Sequence, residues 1–111
     1  MRRREVVFLA SAQSDLNEIF QYVLGRTSSR TAAERYVDRL IDTAERIGDA
    51  PEAGRSRDDL LPGLRIWSFE RKVVLTYRLR DDVVEITNLF AKGHDLSIFY
   101  DRHRSRLHQV R

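Results

Sequence analysis

The sequence contains no cysteine, and this absence excludes disulfide bonds and metal sites built from thiolates. It also has no apolar run near the roughly 20 residues that a membrane-spanning helix needs. The basic residues 1–4 are not followed by the apolar segment and cleavage site that a secretory signal has. We therefore expect a cytoplasmic protein with no metal, no other cofactor and no membrane partner.

Proline and glycine are scarce as well, with two prolines and five glycines among 111 residues. Both prolines and two of the glycines fall in residues 51–63, which are predicted to form the one long loop. A chain of this length fits one domain, and its 41% hydrophobic content can supply a core. We predict a single domain over residues 1–101 and a basic tail over residues 102–111, either a frayed helix or disordered.

Lysine is rare too: 18 of the 20 basic residues are arginine, and the net charge is +3. The excess of positive charge lies at the two ends. Without the seven arginines of residues 1–4 and 102–111, the remaining 13 basic residues face 17 acidic ones, a net charge of −4. A protein that binds nucleic acid more often carries its positive charge on the folded surface. The charge distribution therefore argues against a large nucleic-acid interface.

In residues 64–90, apolar and polar side chains alternate with a period near two, and this pattern predicts three consecutive strands. The apolar set of the middle strand consists of Val73, Leu75, Tyr77 and Leu79. Only the charged segments 70–72 and 80–82 interrupt the pattern. Connections that short join antiparallel neighbours, so we predict a β-meander. Residues 5–10 are apolar enough for a further strand, which joins the sheet at an edge that the sequence does not define.

Between these strands, apolar residues recur at helical spacing in two stretches. The first stripe consists of Leu16, Ile19, Phe20, Val23 and Leu24, and the second runs from Ala33 to Ile47. We expect Ser11 or Ser14 to cap the first helix and Gly25 to end it. Thr31 and Glu34 have capping-box spacing for the second helix, which Gly48 ends. The resulting order β-α-α-β-β-β predicts an α+β domain with a helical hairpin packed on one face of an antiparallel sheet.

Several short motifs follow one another at definite spacing. They are P-x-x-G-R-S-R from Pro51, L-P-G-L-R from Leu61, T-Y-R-L from Thr76, the pair Asp81-Asp82 and G-H-D from Gly93. In this order, over about residues 5–100, the chain resembles the ParE/RelE superfamily, the toxins of bacterial type II toxin–antitoxin modules. The resemblance implies a plasmid-stabilization type of module. Its toxin is neutralised in an oligomeric complex by a cognate antitoxin, encoded next to it, that wraps its surface.

The resemblance leaves two targets open. RelE-like members enter the ribosomal A site and cut mRNA, whereas ParE-like members inhibit DNA gyrase and lack the nuclease residues. If this chain is a ribonuclease, the matching catalytic positions are Arg65, Arg78, His94 and Tyr100. Of these, His94 is the best acid or base, because arginine stays protonated at all ordinary pH values and is suited only to stabilising phosphate charge.

The residues favour the ParE-like interpretation. The loop has no lysine, and Asp58 and Asp59 would repel RNA there. A gyrase inhibitor needs a recognition surface rather than a catalytic set. We expect the antitoxin or the target to bind at Arg55, Arg57, Arg65, Arg78 and His94.

More ordinary roles remain open for the same residues. Arg65 and Arg78 could form structural ion pairs, Arg65 with Asp58, Asp59 or a helix carboxylate, and His94 could be a plain loop residue. Trp67 and Tyr77 are expected in the core. A third interpretation for the whole chain is a non-toxic interaction module whose sheet edge or groove accepts a partner segment.

Overall fold

The structure, a computed structural model, describes residues 3–109, and the side chains of residues 3–102. It confirms the predicted α+β fold with a helical hairpin and a meander. The elements are β1 Glu5–Phe8, α1 Ala10–Thr27, α2 Arg30–Ile47, β2 Arg55–Ser56, β3 Arg65–Phe69, β4 Val73–Arg80, β5 Val83–Ala91 and α3 Leu96–Gln109. None of the helices in this described part is long and apolar enough to cross a membrane.

The five strands form one sheet in the order β1-β5-β4-β3-β2. β3, β4 and β5 are antiparallel neighbours, as the meander prediction required. β1 pairs with β5 in parallel, with Glu5 opposite Val83 and Phe8 opposite Ile86. The sheet is therefore mixed at this edge rather than wholly antiparallel. A chain that returns through two helices can re-enter the sheet in either direction, whereas a two-residue hairpin allows only one.

Residues 51–63 contain a strand that the sequence pattern did not reveal. Arg55 pairs with Ile66 and Ser56 pairs with Arg65, so β2 adds an edge to the sheet beside β3. A strand of two residues has no periodicity to detect. Its position is set by the tertiary contacts of the loop that precedes it.

Neither predicted serine caps α1. The helix begins at Ala10, and its N-cap position is Leu9, two residues before Ser11, with no side-chain cap. The Ser11 hydroxyl instead donates to the Thr87 carbonyl at 2.6 Å, which fastens the start of α1 to β5. The helix continues past Gly25 and ends where Ser28 takes a left-handed conformation with φ 54°. Both sequence-based boundaries of α1 are therefore wrong.

The capping residue of α2 also differs from the prediction. Ser29, rather than Thr31, occupies the N-cap, and its side chain accepts a hydrogen bond from the Ala32 amide at 3.1 Å. The helix ends at Gly48 as predicted. Serine is as good a cap as threonine, so local spacing alone could not separate the two.

The sheet separates two apolar clusters. The larger lies against α1 and α2 and includes Leu40, Ile47, Leu75, Tyr77 and Ile86, each at most 1% exposed. The predicted core position of Tyr77 is confirmed, and Trp67 is partly buried and packs against this cluster. The smaller cluster lies on the opposite face, where α3 covers the sheet. Its buried members are Leu60, Leu64, Phe90, Leu96 and Tyr100.

Helix α3 crosses the predicted junction between residues 101 and 102. Its first turns pack back on the sheet through Leu96 and Tyr100. The side chains of His103 and His108 lie outside the described residues. The division into a domain and a basic tail therefore stays a prediction.

The basic start of the chain has a structural role. Arg3 forms ion pairs with Glu45 at 3.2 Å and Asp49 at 3.5 Å, and Arg4 pairs with Asp82 at 2.9 Å. These contacts fasten β1 to α2 and to the β4–β5 turn. Because carboxylates already face them, these two arginines add little free positive charge to the surface.

Both hairpin turns place charged residues in the left-handed region. In the β3–β4 turn, Glu70 has φ 48° and Arg71 has φ 58°, and the Lys72 amide donates to the Phe69 carbonyl at 2.9 Å. Two central residues with positive φ are the mark of a type I′ turn, which prefers Asn-Gly. Arg39 holds Glu70 with two hydrogen bonds at 3.1 and 3.3 Å. The turn therefore depends on a tertiary ion pair rather than on favourable turn residues.

This strain gives a stability prediction. Arg71→Gly should stabilise the fold by about 0.5–1 kcal/mol, because glycine adopts positive φ without the steric cost of a side chain. Urea unfolding of the wild type, Arg71→Gly and Arg71→Ala measures the effect. Alanine keeps the strained Cβ, so equal stability of the two variants would contradict the explanation.

Candidate functional site

Two strand residues hold the loop that carries the P-x-x-G-R motif. The Tyr77 hydroxyl donates to the Pro51 carbonyl at 2.7 Å and accepts from the Gly54 amide at 3.0 Å. Arg65 Nη1 donates to the carbonyls of Glu52 at 3.1 Å and Gly54 at 2.7 Å. Arg65 and Tyr77 are cross-strand partners, so both project from the face of the sheet that packs on the helices. We call this arrangement the loop clamp.

In the loop clamp, Tyr77 is a neutral phenol and Arg65 binds backbone carbonyls instead of carboxylates. Burial raises the pKa of the Tyr77 phenol, although the Gly54 amide and the charge of Arg65 oppose the rise. The phenol therefore stays protonated and able to donate. Arg65 binds carbonyl oxygens rather than Asp58, Asp59 or a helix carboxylate, so backbone contacts take the place of the ion pair that the sequence left as one alternative.

The two arginines of the loop differ in availability. Arg57 forms a two-pronged ion pair with Asp59, Nε to Oδ1 at 3.0 Å and Nη2 to Oδ2 at 2.9 Å. That hydrogen bond raises the pKa of Arg57 and holds the pKa of Asp59 below its usual value. Arg55 is exposed on β2 and has no side-chain partner within the described residues. Arg55 is thus the loop cation that is free to meet another molecule.

Arg78 lies on the other face of the sheet. Neighbouring residues of a strand point to opposite faces, and Tyr77 faces the helices. Arg78 Nε donates to Oε1 of Glu85, its cross-strand partner, at 2.8 Å. The structure thus gives Arg78 the structural pair that the sequence left as one alternative.

His94 and Tyr100 differ in exposure. His94 is exposed after β5, and its ring lies against Phe90 with a centroid distance of 5.1 Å. Tyr100 is only 7% exposed, in the cluster under α3, and its buried hydroxyl has no hydrogen-bond partner among the described residues. Tyr100 is therefore closed off from any external substrate in this conformation.

The four candidate nuclease residues do not form one site. A ribonuclease must place cations and a proton donor around the same phosphate. Here Arg65 faces the helices, Arg78 faces the opposite side of the sheet, and Tyr100 is buried. Within the described residues there is also no group of three His, Asp or Glu side chains that could hold a metal ion.

An open groove of about 820 Å³ runs between α1 and the ends of β4 and β5. Its floor is apolar and includes Ile19, Val23, Tyr36, Val73 and Leu89. Its edges carry Asp15, Glu18, Tyr22, Arg26, Arg71, Lys72 and Lys92. Sequence reasoning missed this feature. The sequence feature related to the groove is the apolar stripe of α1. Its spacing predicted a helix face buried in the core, but its members are only half-buried.

A sequence model described as "ParE toxin of type II toxin-antitoxin system, parDE" matches residues 6–96. The chain belongs to this ParE toxin family. It is therefore a ParE-type toxin of a type II toxin–antitoxin system, and the resemblance found in the sequence is confirmed. No curated protein matches the toxin at a significant level.

Solved structures share the toxin's fold. A chain of the chromosomal ParDE system from P. aeruginosa has a TM-score of 0.71 and 16% identity, covering 82% of the toxin and 98% of that chain. A chain of the toxin–antitoxin complex RelBE2 from Mycobacterium tuberculosis has a TM-score of 0.61 and 18% identity, covering 82% and 100%. At these identities the likeness concerns the fold alone, and both ParE-type and RelE-type complexes share it.

The loop clamp predicts a strict requirement for glycine at position 54. A Cβ there would fall on the Tyr77 hydroxyl and within 2.9 Å of the Ile66 carbonyl. Gly54→Ala should therefore cost about 3 kcal/mol of unfolding free energy, through overpacking and lost hydrogen bonds.

The matched control is Gly25→Ala in α1, where a Cβ meets nothing within 4 Å. That variant should gain about 0.5–1 kcal/mol from helix propensity. Chemical denaturation of both variants measures the difference. A Gly54→Ala protein as stable as the wild type would show that the loop clamp does not constrain the loop.

Proposed function

We propose that this ParE-type toxin inhibits DNA gyrase and that a cognate antitoxin neutralises it. The supporting observation is the separation of the candidate nuclease residues onto two faces of the sheet and into a buried cluster. An inhibitor that acts by recognition needs exposed complementary groups, and no shared catalytic centre. The proposal places the toxin in the cytoplasm, in an oligomeric complex with its antitoxin when it is inactive.

Within the described part of the chain, only some of the five expected binding residues are exposed and unpaired. Arg55 and His94 are both exposed, and we propose that they contact the target or the antitoxin. Arg57 and Arg78 are already paired with carboxylates, so a partner must compete with Asp59 or Glu85. Arg65 supports binding indirectly, by fixing the loop that leads into Arg55.

The gyrase proposal predicts that purified toxin blocks supercoiling of relaxed plasmid by gyrase and leaves ribosome-bound mRNA intact. Arg55→Glu should raise the concentration needed for half-inhibition about tenfold, because it reverses a free charge at the proposed interface. Arg35→Glu, an exposed change on α2, is the control and should match the wild type. Site-specific mRNA cuts in a translation extract, with normal supercoiling, would contradict the proposal.

The second candidate function is a ribosome-dependent mRNA endoribonuclease. The exposure of His94 favours it, because an acid or base must reach the substrate. If His94 transfers a proton, His94→Gln should abolish toxicity in induced cells while the melting temperature stays unchanged. Full toxicity of that variant removes His94 from a catalytic mechanism.

A further inference from the structure

The only two lysines of the sequence lie together at one end of the groove. Lys72 immediately precedes β4 and Lys92 immediately follows β5, and the Lys92 amide donates to the Lys72 carbonyl at 2.9 Å. Arg71 precedes Lys72 in the β3–β4 turn and also lines the groove. We call these three exposed residues the basic lip.

The basic lip has no counter-charge of its own. No side-chain hydrogen bond or ion pair joins its members to any described residue, whereas Arg3, Arg4, Arg39, Arg57 and Arg78 each face a carboxylate. Like charges placed next to each other on neighbouring strands are destabilising. An uncompensated cluster beside an apolar floor therefore suits a partner that brings both acidic and apolar groups.

The opposite wall of the groove has a different charge. α1 contributes Asp15 and Glu18 there, together with Arg26. Asp15 Oδ2 already accepts hydrogen bonds from the Leu89 amide at 2.9 Å and from Asn88 Nδ2 at 3.1 Å. Glu18 is exposed. An acidic flank of a bound segment is consequently attracted to the lip and repelled from the α1 wall, which fixes how the segment is rotated.

The size of the groove fits a helix. The wall from Asp15 to Thr27 extends about 18 Å at the rise of an α-helix. About three turns of a partner helix match that length.

We propose that the basic lip determines which partner the toxin accepts: an amphipathic helix with acidic residues along one flank. Its apolar side packs on the floor at Ile19, Val23 and Leu89. Its acidic flank pairs with Arg71, Lys72 and Lys92. The identification of this partner as the antitoxin rests on the function proposed above, whereas the selection of an acidic helix does not.

The test uses two labelled helical peptides of about 14 residues with the same leucine stripe. One peptide carries glutamate along one flank, and the other carries lysine at the same positions. Fluorescence anisotropy at low salt measures their binding to wild-type toxin, to Lys72→Glu/Lys92→Glu and to the control Arg35→Glu/Arg102→Glu. The control changes the net charge equally, at exposed residues outside the groove.

We expect the wild type and the control to bind the glutamate peptide about tenfold more tightly than the lysine peptide, a preference that salt weakens. The Lys72→Glu/Lys92→Glu variant should reverse this preference. Amide shifts on binding should appear at Val23 and Ala91 in the groove rather than at Val74 on the other face.

Equal binding of both peptides by the wild type, or loss of the preference in the control as well, would overturn the proposal. Shifts at Val74 with none in the groove would also overturn it. A supercoiling assay on the wild type separates the two proposals. Absence of gyrase inhibition together with a reversed peptide preference would remove the proposed target and leave the selection by the basic lip intact.

Discussion

The fold depends on the need to pair buried backbone groups in the loop between α2 and β3. Pro51 and Gly54 are buried there, outside any regular ladder, and an unpaired buried carbonyl or amide is costly. Tyr77 and Arg65 supply the missing partners from two adjacent strands. Residues from three of the motifs that carried the family resemblance, those that contain Pro51, Arg65 and Tyr77, are thus parts of one arrangement. It fixes where β2 begins and how Arg55 is presented.

Several arginines of this toxin form ion pairs that join different parts of the fold. Arg4 joins β1 to the β4–β5 turn, Arg39 joins α2 to the β3–β4 turn, and Arg78 joins β4 to β5. The planar guanidinium suits such fixed, directional contacts. The charge that can meet a partner is therefore much smaller than the charge counted in the sequence. Within the described residues it includes Arg35, Arg55, Arg80 and the basic lip, which are exposed and have no side-chain ion pair.

One fold serves both ParE-type and RelE-type complexes, so the fold alone does not separate an inhibitor from a nuclease. An inhibitor and a nuclease differ in whether their polar side chains lie around one common site. Here the sheet itself stands between Arg65 and Arg78, and Tyr100 is buried where α3 packs on the sheet. The same α1 stripe that binds the hairpin to the sheet is half-exposed along the groove. A binding function is thus compatible with the arrangement without any rearrangement of the core.

The sequence by itself determined the meander, the helical hairpin and the core position of Tyr77. These follow from periodicities of two and 3.6 residues, which are local properties of the chain. Only the tertiary structure decided the parallel direction of β1, the two-residue β2, the contact of Ser11 with β5 and the carbonyl partners of Arg65. It also brought together the two lysines, one just before β4 and the other just after β5. Each of these joins residues far apart in the chain, as with Ser11 and Thr87, and no local pattern encodes which distant partner a polar side chain will meet.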